Sequence, residues 1–133
     1  MATILDRKIG LTGFGLMGLT RPQAMLPREE SFAVMDAALA NGATYWNGGE
    51  FYGTPESNTL HLVRDYFKVH SNKSNDVILC VKGNRTPGSL EFDGSENGVR
   101  RSVKHFSDAL KTARQMISCR FYDSRIAAVL HDR

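Results

Sequence analysis

Ala43-Thr44-Tyr45-Trp46-Asn47-Gly48-Gly49-Glu50-Phe51-Tyr52-Gly53-Thr54 begins as a short apolar, aromatic run and becomes a glycine-rich loop. The first part reads as a buried strand. The loop holds a polar trio, Asn47, Glu50 and Tyr52, and Ser57 follows as an N-cap for a helix. Strand, polar loop and helix make one βα unit, and in barrels built of such units the loop after the strand carries the chemistry. The alternative is a hairpin or tight turn in which Gly48 and Gly49 only permit positive φ.

The flanks repeat the unit. Residues 8–14 read as a first strand running into Gly15–Gly18, and Pro22 and Pro27 bound a loop. A helix is predicted over 28–40, where Phe32, Met35 and Leu39 recur at helical spacing, with Gly42 placed for a left-handed cap. Strand two covers 44–47, and a second helix 58–69 with Leu60, Val63 and Phe67 on one side. Residues 77–81 form the clearest strand, since a near-continuous apolar run suits a parallel strand covered on both faces. A long polar loop leads to a third helix over 96–117, N-capped by Ser95, and residues 126–130 read as a fourth strand. The order β-α-β-α-β-α-β argues for a parallel sheet with right-handed crossovers.

The chain has 133 residues, 41% hydrophobic and 23% charged, an ordinary globular composition. That is one modest domain, short of the roughly 250 residues of a (β/α)₈ barrel. No run approaches the roughly 18 apolar residues of a membrane span, and Met1 to Lys8 lack the apolar core of a signal peptide. Cys80 and Cys119 have no metal-ligand or CxxC spacing, which suits a reducing, cytoplasmic setting with Cys80 as a buried thiol. The net charge of +3 is uneven, because residues 67–133 carry twelve Lys/Arg against seven Asp/Glu. These cations are scattered and not interleaved with aromatics, so a solvated surface is expected and not a nucleic-acid footprint.

Gly13-Phe14-Gly15-Leu16-Met17-Gly18 fits GxGxxG after a strand. A dinucleotide fingerprint must open directly into a helix so that the pyrophosphate meets its N-terminus. Here Pro22 and Pro27 intervene, and Asp36 falls inside the first helix where the fingerprint's acidic residue should end a second strand. The Rossmann reading is set aside.

Asn47-Gly48-Gly49-Glu50-Phe51-Tyr52-Gly53 resembles the loop after strand two of the aldo-keto reductase superfamily, and its wording is most similar to the fungal pyridoxal reductase branch. Gly13 to Thr20 and Val81-Lys82-Gly83 fit the same branch, over about residues 8 to 110. The resemblance implies the N-terminal part of a TIM (β/α)₈ barrel, α/β in class, with residues 1–110 as reductase and 111–133 as a divergent tail. It implies NADPH-dependent reduction of an aldehyde such as pyridoxal, without metal. By the same resemblance Tyr52 is the proton donor, Lys82 its cationic neighbour and Asn47 the lysine's partner, in the position of the family's aspartate. Gly15, Leu16 and Met17 close strand one beneath the nicotinamide. A lysine cation beside a phenol favours phenolate, and a phenol so placed can donate a proton to a carbonyl oxygen. Without the resemblance, Tyr52 is a packed loop residue and Lys82 a surface cation.

Three departures bear on function. The family's histidine should follow strand four, where His131 stands without the branch's surrounding pattern, and His61, His70 and His105 read as surface residues. Thr20 runs directly into Arg21-Pro22, where the branch places a tryptophan. The likeness fades after about Leu110, and residues 111–133 are expected to be a divergent tail of the kind a frameshifted or mis-spliced product would carry. The expectation is therefore a reductase half-barrel, inactive alone, or a non-catalytic module that pairs with another copy through exposed sheet edges.

Overall fold

The computed structural model describes residues 3–4, 6–85, 91–111, 116–120 and 127–128. Its centre is a five-stranded sheet in the order β3 (Gly13–Gly15), β4 (Tyr45–Gly49), β5 (Ile78–Lys82), β6 (Met116–Arg120), β7 (Ala127–Ala128). The first four strands are mutually parallel and β7 runs antiparallel to β6. Helices α1 (Arg28–Ala40) and α2 (Thr59–Val69) make the first two crossovers, and α3 (Glu96–Ala109) leads from β5 to β6. A hairpin, β1 (Thr3–Ile4) and β2 (Arg7–Lys8), precedes the sheet. Parallel βα units in this sequence are part of a (β/α)₈ barrel.

Alternation sorts the strand side chains. Trp46, Leu79 and Val81 belong to the core under the helices, while Asn47, Cys80 and Lys82 take the opposite face. Trp46 is fully buried, stacks on Phe67 of α2 with ring centroids 6.0 Å apart, and tilts against Tyr66 at 5.4 Å. Its indole N–H donates to the Ala43 carbonyl at 2.8 Å, so the ring is buried with its polar atom satisfied.

The helix ends follow local chemistry. After α1 the amides of Gly42 and Ala43 bond back to Leu39 and Ala38, with Gly42 at φ 80, a Schellman ending. Helix α2 is capped by Asn58, whose side chain accepts from Leu60 N at 2.9 Å and His61 N at 3.2 Å, while His61 Nδ1 accepts from the Asn58 amide. Ser57, the expected cap, instead bonds its own amide to Thr54 Oγ1. Ser95 caps α3 through the Gly98 amide as the sequence predicts.

Four boundaries differ from expectation. The first strand of the sheet is confined to 13–15, because the chain at Asp6, with φ 58, folds Arg7–Lys8 back onto Thr3–Ile4. Arg7 of that hairpin donates to the carbonyls of Asn75 and Val77 at the amino end of β5. Strand β4 runs on through Gly48 and Gly49, which pair with Val81 and Lys82. Neither glycine is needed for a positive φ: a Cβ on Gly48 would lie 2.5 Å from Thr59 Cγ2, so glycine there lets α2 close on the strand. Helix α3 stops at Ala109, not at 117, and Met116–Arg120 is the fourth parallel strand. The apolar spacing through Ala113 and Ile117 mimics a helix, but pairing with the open edge of β5 overrides it. The strand expected at 126–130 reduces, among the described residues, to Ala127–Ala128, antiparallel. His131 lies outside the described residues.

A polar cluster ties α1 to α2. Asp36 accepts from the Tyr66 hydroxyl at 2.5 Å and from Lys73 at 2.7 Å. Burial opposes ionisation of Asp36, but the Lys73 and Tyr66 hydrogen bonds outweigh it and hold the carboxyl below its ordinary 3.8. Burial, followed by the bond to Asp36, pushes the Tyr66 phenol well up. A lowered carboxylate contributes stability that is present above its unfolded value and lost as pH falls through the folded one. Asp36→Asn should therefore lower the urea midpoint at pH 7, and the gap from the parent should narrow as pH drops below 3.8. Tyr66→Phe should cost about 1.5–3 kcal/mol at neutral pH, the range for a hydrogen bond to a charged group.

Candidate functional site

The carboxyl ends of β3, β4 and β5 lie side by side, with Gly15 opposite Asn47 and Gly49 opposite Lys82. Three of the residues singled out in the sequence meet there. Lys82 Nζ donates to Asn47 Oδ1 and lies over the Tyr52 ring, 5.0 Å from its centroid. All three are half-buried. Tyr52 reaches the site through a turn in which its amide bonds to the Gly49 carbonyl at 3.1 Å. Its own carbonyl accepts from Thr59 N at 3.0 Å, which ties the loop to the start of α2. Gly53, at φ 120, gives the chain room to reverse: a Cβ there would lie 2.3 Å from the Ser57 carbonyl.

The three residues at the end of β3 separate by role. Leu16 is fully buried, belongs to the core and donates its amide to the Asn47 carbonyl at 2.9 Å. Gly15 is exposed, with no atom within 4 Å of where its Cβ would be, and Met17 is 38% exposed. Gly15 and Met17 thus offer an open surface beside Asn47, and Leu16 supports it from below.

Beyond the trio, Arg85 follows Lys82 and stacks its guanidinium 5.3 Å from the Phe51 ring and 5.2 Å from the Phe92 ring. Phe51 in turn meets Tyr52 edge to face at 5.0 Å. On the far side of β5, the register to β6 slips by one residue between Leu79 and Val81, so that two residues of β6 oppose Cys80, a bulge.

Sequence reading assigned no role to the group beneath this surface. Glu50 is fully buried, accepting from Ser102 Oγ at 2.7 Å and from the Arg85 amide at 3.1 Å. Arg101 stands 3.6 Å and His105 3.3 Å from its carboxylate oxygens. His105 is therefore an inward contact of α3, where the sequence suggested an idle surface histidine. The available signal was the polar stripe Arg101, Ser102, His105 at i, i+1, i+4 on an otherwise amphipathic helix.

The matched family model is the Aldo/keto reductase family, over residues 12–119. A protein of Schizosaccharomyces pombe named probable pyridoxal reductase 2 is 37% identical over 110 residues, covering 82% of this chain and 33% of that one. A protein of Saccharomyces cerevisiae named for the same activity is 32% identical over 104 residues, 74% of this chain and 30% of that one. A solved structure from Pseudomonas aeruginosa, named for the aldo-keto reductases, superposes with a TM-score of 0.64 at 19% identity, covering 85% of this chain and 45% of that one. The chain spans about a third of the length of these curated relatives.

The Asn47–Lys82 contact is a neutral acceptor holding a cation. Asn47→Asp should turn it into an ion pair and raise the neutral-pH stability by about 0.5–1 kcal/mol, seen as a higher melting temperature and modest because the pair is only half-buried. The gain should vanish as pH falls below about 3.9 and the new carboxylate protonates. Thermal melts of both chains at pH 7 and pH 3 check this.

Proposed function

The chain belongs to the aldo/keto reductase family, and we propose that its described residues carry the proton-donating part of an NADPH-dependent aldehyde reductase site of the pyridoxal reductase kind. The observation that carries this reading is the convergence of Asn47, Tyr52 and Lys82 at the strand ends.

Tyr52 donates its phenolic proton to the carbonyl oxygen of the aldehyde as that oxygen gains charge, completing the alcohol. Lys82 sets its ammonium against the ring that becomes negative in this step. Asn47 orients Lys82 through one hydrogen bond without neutralising it, so more of the cation's field acts on Tyr52 than an aspartate would leave. The open surface at Gly15 and Met17, next to Asn47, fits the flat nicotinamide end of a dinucleotide, and a side chain at Gly15 would fill it. When bound, the dinucleotide supplies the hydride. The Phe51 ring against Tyr52 and the half-exposed Phe92 put aromatic surface beside the site, which suits a planar aldehyde such as pyridoxal. A cytoplasmic setting suits this chemistry, and among the described residues no helix is long and apolar enough to cross a membrane.

A second reading rests on β3, which among the described residues pairs only with β4. Its other edge supports self-association by strand pairing, and a monomeric sedimentation mass would oppose that.

Hydride transfer requires donor and acceptor to be held in near-attack geometry. The 133 residues match only a third of their relatives' length, so the chain alone is expected to show no enzyme-like oxidation of NADPH with pyridoxal. A chimera in which residues 12–119 replace the matching part of the S. pombe relative should reduce pyridoxal, and Tyr52→Phe should slow it by about 100-fold or more. A folded chimera without turnover, or one indifferent to Tyr52→Phe, would overturn the assignment. A robust rate from the 133-residue chain itself, abolished by Tyr52→Phe, would show instead that the partial barrel completes its own site.

A further inference from the structure

We propose that Glu50 is a positioning residue that holds the Tyr52 loop and the Lys82 segment in one fixed arrangement against α3. The proposal rests on the reductase reading for its purpose, but its geometry stands apart from turnover.

Glu50 is the second residue of the turn Gly49–Tyr52, so any displacement of Glu50 is passed to Tyr52 two residues on. Its amide donates to the Lys82 carbonyl at 2.9 Å, and its side chain accepts from the Arg85 amide at 3.1 Å. One residue thus grips the β5 end on both sides of Gly83. Ser102 does the same from α3: its hydroxyl donates to Glu50 at 2.7 Å and accepts from the Asn84 amide at 2.8 Å. Gly83 lets the helix come this close, since a Cβ there would meet Phe106 at 2.6 Å and Ser102 at 2.9 Å. Asn84 adopts φ 72, a left-handed conformation that asparagine enters more readily than most residues.

A fully buried carboxylate is costly unless hydrogen-bonded and charge-balanced. Here Arg101 supplies the charge from α3 and His105 sets a ring nitrogen 3.3 Å away, while Ser102 and Arg85 supply the hydrogen bonds. An apolar side chain could fill the same volume, but it could not accept from two separate segments. Acceptance from both is what fixes the spacing of the loop after β4 relative to the loop after β5, and therefore of Tyr52 relative to Lys82.

The test reads Lys82 directly. In ¹⁵N-labelled 133-residue chain, the lysine ammonium resonances are recorded and Lys82 is assigned by its loss in Lys82→Arg. The parent should show a Lys82 signal distinct from the solvated lysines, reflecting the bond to Asn47 and the Tyr52 ring beneath it. Glu50→Leu should remove that distinct signal. Glu50→Gln, whose carbonyl still accepts from Ser102 and Arg85, should keep it, and so should Val63→Ala, a core truncation that lowers stability without touching the network. Ser102→Ala, which removes one donor and leaves the carboxylate, should displace the signal by a smaller amount and covers the case in which Glu50→Leu does not fold. The proposal is overturned if the signal is absent from the parent, or unmoved in Glu50→Leu or Ser102→Ala. It is also overturned if Val63→Ala or Glu50→Gln loses the signal as Glu50→Leu does. None of these readouts needs hydride transfer, so an inactive chimera would remove the reductase reading while leaving this result to stand or fall separately.

Discussion

Parallel register between β4 and β5, with Asn47 opposite Cys80 and Gly49 opposite Lys82, is the constraint from which the other features follow. Side chains alternate along each strand, so this register puts Trp46, Leu79 and Val81 under the helices and leaves Asn47 and Lys82 together on the other face. A slip of one residue would send Trp46 out of the core and Asn47 into it. The cost of exposing Trp46, buried against Tyr66 and Phe67, is what makes the register single-valued. The polar contact at the strand ends is thus maintained by apolar packing on the opposite side of the sheet.

Helix α2 depends on the same strand. Its buried side carries Leu60, Val63, Tyr66 and Phe67, and it begins one residue after Asn58. Thr59 at its start lies over Gly48, and its amide holds the Tyr52 carbonyl. The start of the helix, the end of the strand and the loop between them therefore form one packed object. This explains why a glycine pair that looks like a turn behaves as strand: its lack of side chains is used for proximity, with φ remaining in the ordinary range at both positions.

Two polar clusters sit at different depths and act differently. Asp36, Tyr66 and Lys73 join α1, α2 and the segment before β5, with the carboxylate partly open to water. Solvent screens that pair, so its effect is on the stability of the helix layer. Glu50 is sealed from water and joins the two loops that bear Tyr52 and Lys82. In that environment a satisfied acceptor imposes geometry, because each partner lost would leave a buried polar group unpaired.

Much of this was legible in the chain itself. Apolar runs at 44–47 and 77–81 and the helical spacing over 28–40 and 58–69 located the parallel units, because their periodicities are set by burial and need no distant partner. The spacing of Asn47, Tyr52 and Lys82, read with the family's motif, placed all three at neighbouring strand ends, and they meet there. What the sequence could not show depends on contacts between remote segments. The strand at Met116–Arg120 is written with helical spacing and becomes a strand through the open edge of β5. Gly48 and Gly49 look like a turn until Thr59 is seen packed on the first and the Tyr52 ring on the second. Glu50 reads as one more loop carboxylate until α3 brings Ser102, Arg101 and His105 to it from about fifty positions away. Local periodicity is a property of adjacent residues, whereas the partners of a buried polar group are chosen by the tertiary fold that buries it.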